Sequence, residues 1–266
     1  MIIYDYYTTD DVMMNEPCIV ENIGEIYPIL VKDYNRFSKS GGILMIGKQH
    51  TQGILLREAM AYAVMELSGN DLSSKDDMTV KAYLYIVAEE VAKMISIVVH
   101  KQIKFTTNWN LIASRKNEYF TATFTDKDNT IFINETNWDI FREIVMRQNN
   151  IQEEKVYEDP LYAKWAKKVQ IANSKNGENI TFGDMIAIVS CETGKTYDEI
   201  KNQNMLQLHS DYQRVNHVAN YKATTLFRTV DNKVKIMNFA SPIISEIYRD
   251  KTDDYTSSIN EVANKL

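Results

Sequence analysis

Glycine and proline are scarce in this 266-residue chain, at 9 and 4. So few chain breakers favour long helices over a turn-rich all-β design. Cysteine is scarcer still: Cys18 and Cys191 lie far apart and in no Cys-x-x-Cys pair. That excludes a disulfide framework and reads as two buried thiols in a reducing compartment. A basic excess is also missing, since 30 Lys and Arg against 36 Asp and Glu give a formal charge of -6. Whole-surface binding of nucleic acid or anionic lipid is disfavoured, because phosphate neutralisation dominates such binding. No apolar run reaches the ~18 residues of a membrane span. The most apolar helix candidate, near 79–100, is interrupted by Glu89, Glu90 and Lys93. The N-terminus shows no basic stretch ahead of an apolar one and turns acidic at Asp10-Asp11, unlike a secretory signal. The expectation is a cytoplasmic protein. Its 44% hydrophobic and 25% charged residues are ordinary for a globular core.

What is present is mostly helical periodicity. In the first 52 residues, Cys18-Ile19-Val20 and Tyr27-Pro28-Ile29-Leu30-Val31 read as short strands, and Ile43-Leu44-Met45-Ile46 is too short to assign. A helix over 54–67 carries Leu56, Met60, Ala63 and Leu67, with Gly69 as its stop. A second, over 78–99, carries Val80, Leu84, Val87, Val91, Met94 and Val98, with Ile86, Ile95 and Val99 outside or beside the stripe, which implies burial on more than one side. The period then changes: 119–124 and 130–133 are aromatic and β-branched, and Asp126-Lys127-Asp128-Asn129 between them marks a hairpin. Such a hairpin is marginal alone and must pair with N-terminal strands or lie on the helices. Asn137 is placed to cap a helix with Trp138, Phe141, Ile144 and Val145; Asp159-Pro160 opens another with Leu161, Trp165, Val169 and Ala172. Helices follow at 182–193, ended by Gly194, and at 196–200. The last, over 204–229, aligns Met205, Leu208, Tyr212, Val215, Ala219 and Leu226 on one seam, broken only by Lys222. A seam with alternating three- and four-residue steps is either a bundle core contact or a surface offered to a partner helix.

The chain is therefore read as α+β and predominantly α-helical, a helical bundle with a small antiparallel β element from the 119–133 hairpin and the N-terminal strands. Residues 1–134 form an N-terminal α+β region with the helical pair 54–100, residues 135–232 a C-terminal helical domain, and 233–266 a poorly ordered tail.

Chemistry-bearing patterns are weak. The run Gly42 to Gly47-Lys48 has phosphate-loop spacing, but Gln49 replaces the hydroxyl that would hold magnesium and the intervening residues are bulky. Gly194-Lys195-Thr196 follows a helix pattern, so a helix C-cap is favoured. The histidines, His50, His100, His209 and His217, show no metal-ligand spacing. Cys191 beside Glu192 lacks a cationic activator. Lys164, Lys167 and Lys168 oppose Trp165, yet Glu153, Glu154, Glu158 and Asp159 balance them as a solvated helix face. No enzyme, cofactor or metal site is expected.

Several separate segments resemble assembly chaperones of tailed bacteriophages, the group that serves the tail tape measure and the baseplate hub. Residues 26–34 resemble their N-terminal entry segment, and Trp138-Asp139-Ile140-Phe141-Arg142 their helix start after a small β element. Phe182-Gly183-Asp184-Met185-Ile186, Tyr197-Asp198-Glu199-Ile200 and Asn204-Met205-Leu206-Gln207-Leu208, leading to Tyr212, complete the likeness, which lies mostly within 135–230. The resemblance implies no catalysis. It implies binding of an aggregation-prone tape-measure or hub protein in the host cytoplasm during virion assembly, through Met205, Leu208 and Tyr212 where the seam is exposed. A minor baseplate or tail protein retained in the virion, and a nucleic-acid-associated accessory protein, are the alternatives. Homo-oligomerisation is left open.

Overall fold

In chain order the elements are β1 (Ile2–Ile3), α1 (Thr9–Met13), β2 (Cys18–Val20), β3 (Gly24–Ile26), α2 (Tyr34–Ser40), α3 (Leu56–Leu67), α4 (Asp77–Val99), β4 (Lys104–Leu111), β5 (Glu118–Thr125), β6 (Phe132–Ile133), α5 (Trp138–Gln148), α6 (Phe182–Thr193), α7 (Tyr197–Ile200) and α8 (Met205–Arg228). They come from a computed structural model that describes residues 2–3, 7–45, 56–69, 75–111, 118–151, 164, 180–236 and 238–241. The fold is α+β and mainly helical, with small sheets. The chain divides into two units: Met1–Thr181 with Lys201–Met205, and Phe182–Ile200 with Leu206–Leu266. The helix expected from Pro160, with Trp165, Val169 and Ala172, lies outside the described residues.

In the first unit, α4 carries the stripe its spacing demands. Val80, Leu84, Val87, Val91, Met94 and Val98 are all buried, and Ile95 and Val99 are buried beside them, so the C-terminal half of the helix is enclosed on more than one side, whereas Ile86, expected with them, is 45% exposed. Asp76 caps it, accepting from the Thr79 amide at 2.7 Å. α3 buries Leu56, Ala59, Met60 and Val64, whereas Leu67 is half exposed. Its inward face is thus rotated from the expected Leu56, Met60, Ala63, Leu67 row. The Glu135 carboxylate accepts from the Arg57 amide at 3.0 Å, satisfying a first-turn donor of α3 from a distant segment. His100 ends α4 in the left-handed region, φ 54°, with its ring stacked on Tyr27 at 4.3 Å.

Two three-stranded sheets form, β1-β2-β3 and β4-β5-β6. The expected hairpin is present as β5 and β6, paired Phe124 to Ile133 and Thr125 to Phe132. It does not join the N-terminal strands in one sheet; it pairs with β4, Lys104 to Thr125 through Leu111 to Glu118, and packs on α3 and α4. Of the two N-terminal strand expectations, 18–20 is β2, while 27–31 is irregular and the strand instead precedes it as β3. Residues 43–45 belong to a 3-10 turn, Gly41–Met45. Asn137 stands before α5, but its side chain does not cap that helix. It accepts from the Asn134 amide and donates to the Phe132 carbonyl, holding the β6–α5 connection instead.

The irregular stretch 7–45 is held by side chains of α5 and by Asn149 just beyond its end. Gln148, fully buried, donates through Nε2 to the Tyr7 hydroxyl at 3.0 Å and the Ile26 carbonyl at 2.8 Å. Asn149 accepts from the Ile29 amide at 2.9 Å, and Arg142 Nε donates to the Leu44 carbonyl at 2.9 Å. Buried backbone groups without a ladder need such partners, since each one left unpaired costs about 1–3 kcal/mol.

In the second unit, Gly194, φ 75°, reverses the chain after α6. Thr196 and Glu199 form a reciprocal cap on α7, with Thr196 N to Glu199 Oε2 at 2.8 Å and Glu199 N to Thr196 Oγ1 at 3.2 Å.

Asp126 organises the β5–β6 turn. It is 4% exposed and accepts from the Thr130 amide at 2.7 Å, the Thr130 hydroxyl at 2.5 Å, the Ile131 amide at 3.1 Å and Lys101 Nζ at 3.3 Å. Burial alone would raise this carboxyl, but those donors bring it from 3.8 down to about 2. The unfolded chain therefore binds the proton first, so the stabilisation is complete above about pH 4 and is lost as pH falls towards 2. Asp126→Asn should lower stability by about 2 kcal/mol at neutral pH and flatten the acid limb of urea-denaturation free energies recorded against pH.

Candidate functional site

The start of α8 is set by a buried polar knot in the first unit. Asn204 is fully buried, and its Nδ2 donates to the Val12 carbonyl at 2.5 Å and to Asn15 Oδ1 at 2.7 Å. The backbone beside it pairs like a short strand. The Val31 amide donates to the Gln203 carbonyl at 2.9 Å, and Lys32 to Lys201 and Met205 to Ile29 each at 3.1 Å, with Leu30 and Asn204 bridged antiparallel. The helix begins where that pairing ends.

From there the seam changes character along its length. Met205 is 3% exposed, and Leu206 and Leu208 are fully buried. Tyr212 and Val215 are half-buried, and Ala219 and Lys222 are exposed. At the far end Leu226 is 68% exposed, Phe227 63% and Val230 88%. Of the three residues expected to meet a partner, two are thus interior and only Tyr212 reaches the surface in part. The open apolar surface begins about four turns beyond Tyr212.

The chain after α8 turns back and is held against that helix. Arg214 donates to the Phe239 carbonyl and, at 3.3 Å, to Ser241; Arg228 donates to Val234 at 3.1 Å. Tyr221 and Phe239 meet edge-to-face at 5.1 Å. Up to Ser241, the segment expected to begin the tail is therefore anchored on α8. This fold-back leaves Leu226, Phe227 and Val230 uncovered and adds Phe239, 47% exposed, to the same unit. Burying one such side chain is worth about 1.5–3 kcal/mol, so three adjacent exposed ones are an incentive for association.

Other candidates resolve into structural roles. Lys195 pairs with Asp211 at 2.5 Å, which commits its ammonium within the unit. Residues 42–45 of the Gly-Lys spacing lie in the 3-10 turn, and 46–48 lie outside the described residues. Cys18 is buried and its thiol is pushed up to about 11 by that burial, whereas Cys191 is exposed, not buried as expected. Burial lowers the pKa of His209. Among the described residues no group of three or more His, Cys, Asp or Glu could hold a metal ion, and no helix is long and apolar enough to cross a membrane. Lys164 is exposed in helical conformation; Trp165, Lys167 and Lys168 lie outside the described residues. Leu226 was legible as a seam residue but not as a surface one, because spacing alone does not tell an interior turn of a seam from an exposed one; Phe227 and Val230 lie off that row and were not singled out.

A paired substitution separates the two ends of the seam. Leu208→Asp should cost more than about 3 kcal/mol by burying an unpaired carboxylate, while Phe227→Asp should stay within about 0.5 kcal/mol of the parent chain. Urea denaturation followed by circular dichroism measures both.

Residues 173–243 match a family described as the YomV second domain, a span that contains α6, α7, α8 and the fold-back. Over 237 residues the chain is 24% identical to the SPbeta prophage-derived uncharacterized protein YomV of Bacillus subtilis (strain 168), covering 88% of this chain and 87% of that protein. No solved structure matches. The relative is of prophage origin, so the comparisons support a phage origin for this chain, in keeping with the coarser part of the resemblance read from the sequence.

Proposed function

We propose that the protein is a phage assembly factor: a chaperone that binds an aggregation-prone tail protein, the tape measure or the baseplate hub, before it enters the particle. The observation that carries this reading is the exposed apolar end of α8, with Leu226 and Phe227 uncovered in its last turn and Val230 uncovered in the turn that follows, on a helix whose first turn is interior. The prophage-derived relative supplies the phage setting. A tape-measure or hub protein must keep long apolar helices from self-associating until assembly, and a helix face of matched shape can cover them reversibly. On this reading no bond is made or broken, no cofactor is used, and the protein acts in the host cytoplasm.

Co-expression of the tagged chain with the tail proteins of its own phage, followed by pull-down, tests the reading. The expected result is capture of a tail protein by the parent chain, reduced at least about tenfold by Val230→Asp, as expected for loss of about 1.4 kcal/mol or more at a buried anchor. Purified virions should lack stoichiometric peptides from this chain. Failure to capture any tail protein contradicts the proposal, and stoichiometric presence in particles would instead make it a minor structural tail protein.

A further inference from the structure

The apolar end of α8 and the turn after it lie in a stretch of sequence with a basic excess, on an acidic protein. Between 212 and 241 the sequence holds Arg214, Lys222, Arg228, Lys233 and Lys235 against the single acid Asp231, although the whole chain carries -6. The two arginines are committed to backbone carbonyls of the fold-back. The three lysines are exposed, and among the described residues none has an ion-pair partner. We infer that the segment this surface takes is an acidic amphipathic helix, with an apolar stripe that covers Leu226, Phe227 and Val230 and carboxylates that meet Lys222, Lys233 and Lys235. The inference deepens the assembly reading and rests on it.

Charge selects among the occupants. A second copy docking through the same face would bring two patches of the same positive excess together, with Asp231 the single acid between 212 and 241 to offset it. Nucleic acid would satisfy the lysines but would leave Leu226, 68% exposed, and Val230, 88% exposed, in water. An acidic amphipathic helix satisfies both the lysines and the apolar side chains. The negative charge elsewhere on the chain would also disfavour its docking away from this positive region.

Fluorescence anisotropy with the full chain tests the inference. The probes are two labelled helical peptides sharing one leucine stripe, flanked by Glu in one and by Lys in the other, together with single-stranded oligothymidylate. The Glu peptide should bind at least about tenfold tighter than the Lys peptide, and the difference should shrink between about 0.05 M and about 0.5 M salt. The triple variant Lys222→Glu, Lys233→Glu, Lys235→Glu should reverse the preference with an unchanged circular-dichroism spectrum. Equal binding of the two peptides, tightest binding by the oligonucleotide, or no binding by the full chain would overturn the inference. Tail-protein capture that is lost in Val230→Asp yet unchanged in the triple variant would overturn it while leaving the assembly reading standing. A clear Glu-peptide preference with no tail protein captured would support it and overturn the assembly reading.

Discussion

Buried backbone without a regular ladder must find hydrogen-bond partners, and in the first unit side-chain amides provide them. Gln148 serves the Ile26 carbonyl, Asn149 the Ile29 amide and Asn204 the Val12 carbonyl. All three are almost wholly buried, so water cannot substitute for any of them. The consequence extends beyond the N-terminal segment. Asn204, with the backbone pairing of 29–32 against 201–205, marks where α8 starts.

Much of the framework was legible because long amphipathic helices write their period into the chain. The stripe of α4, the residues Trp138, Phe141, Ile144 and Val145 of α5, and the stop at Gly194 all follow from spacing and local backbone preference. β4 was missed. Its sequence, Lys-Phe-Thr-Thr-Asn-Trp-Asn-Leu, mixes strand formers with asparagine and lysine, and its identity as a strand depends on β5 as a partner. The rotation of the α3 face from Leu67 to Val64 is likewise tertiary, set by what the helix packs against.

The candidate site was legible only as a row. Spacing put Met205, Leu208 and Tyr212 on one seam with Leu226, but it could not rank them by exposure. The structure places the apolar surface at the end where the row is interrupted by Lys222 and flanked by further lysines. A surface of this kind joins two separable demands on a partner, area and charge. Apolar area favours association broadly, while the local positive charge restricts which helices satisfy it. Under the proposed assembly role, that division of labour suits reversible and selective binding of one partner.

The central proposal is that α8, interior at its beginning, serves as an interface at its end. Hydrogen exchange on the full chain, alone and with a captured tail protein, tests it most directly. The account predicts slow exchange at Val31, Lys32 and Met205 in both states, with new protection on binding confined to the stretch from 221 to 236. New protection over 201–208, or none between 221 and 236, would contradict it.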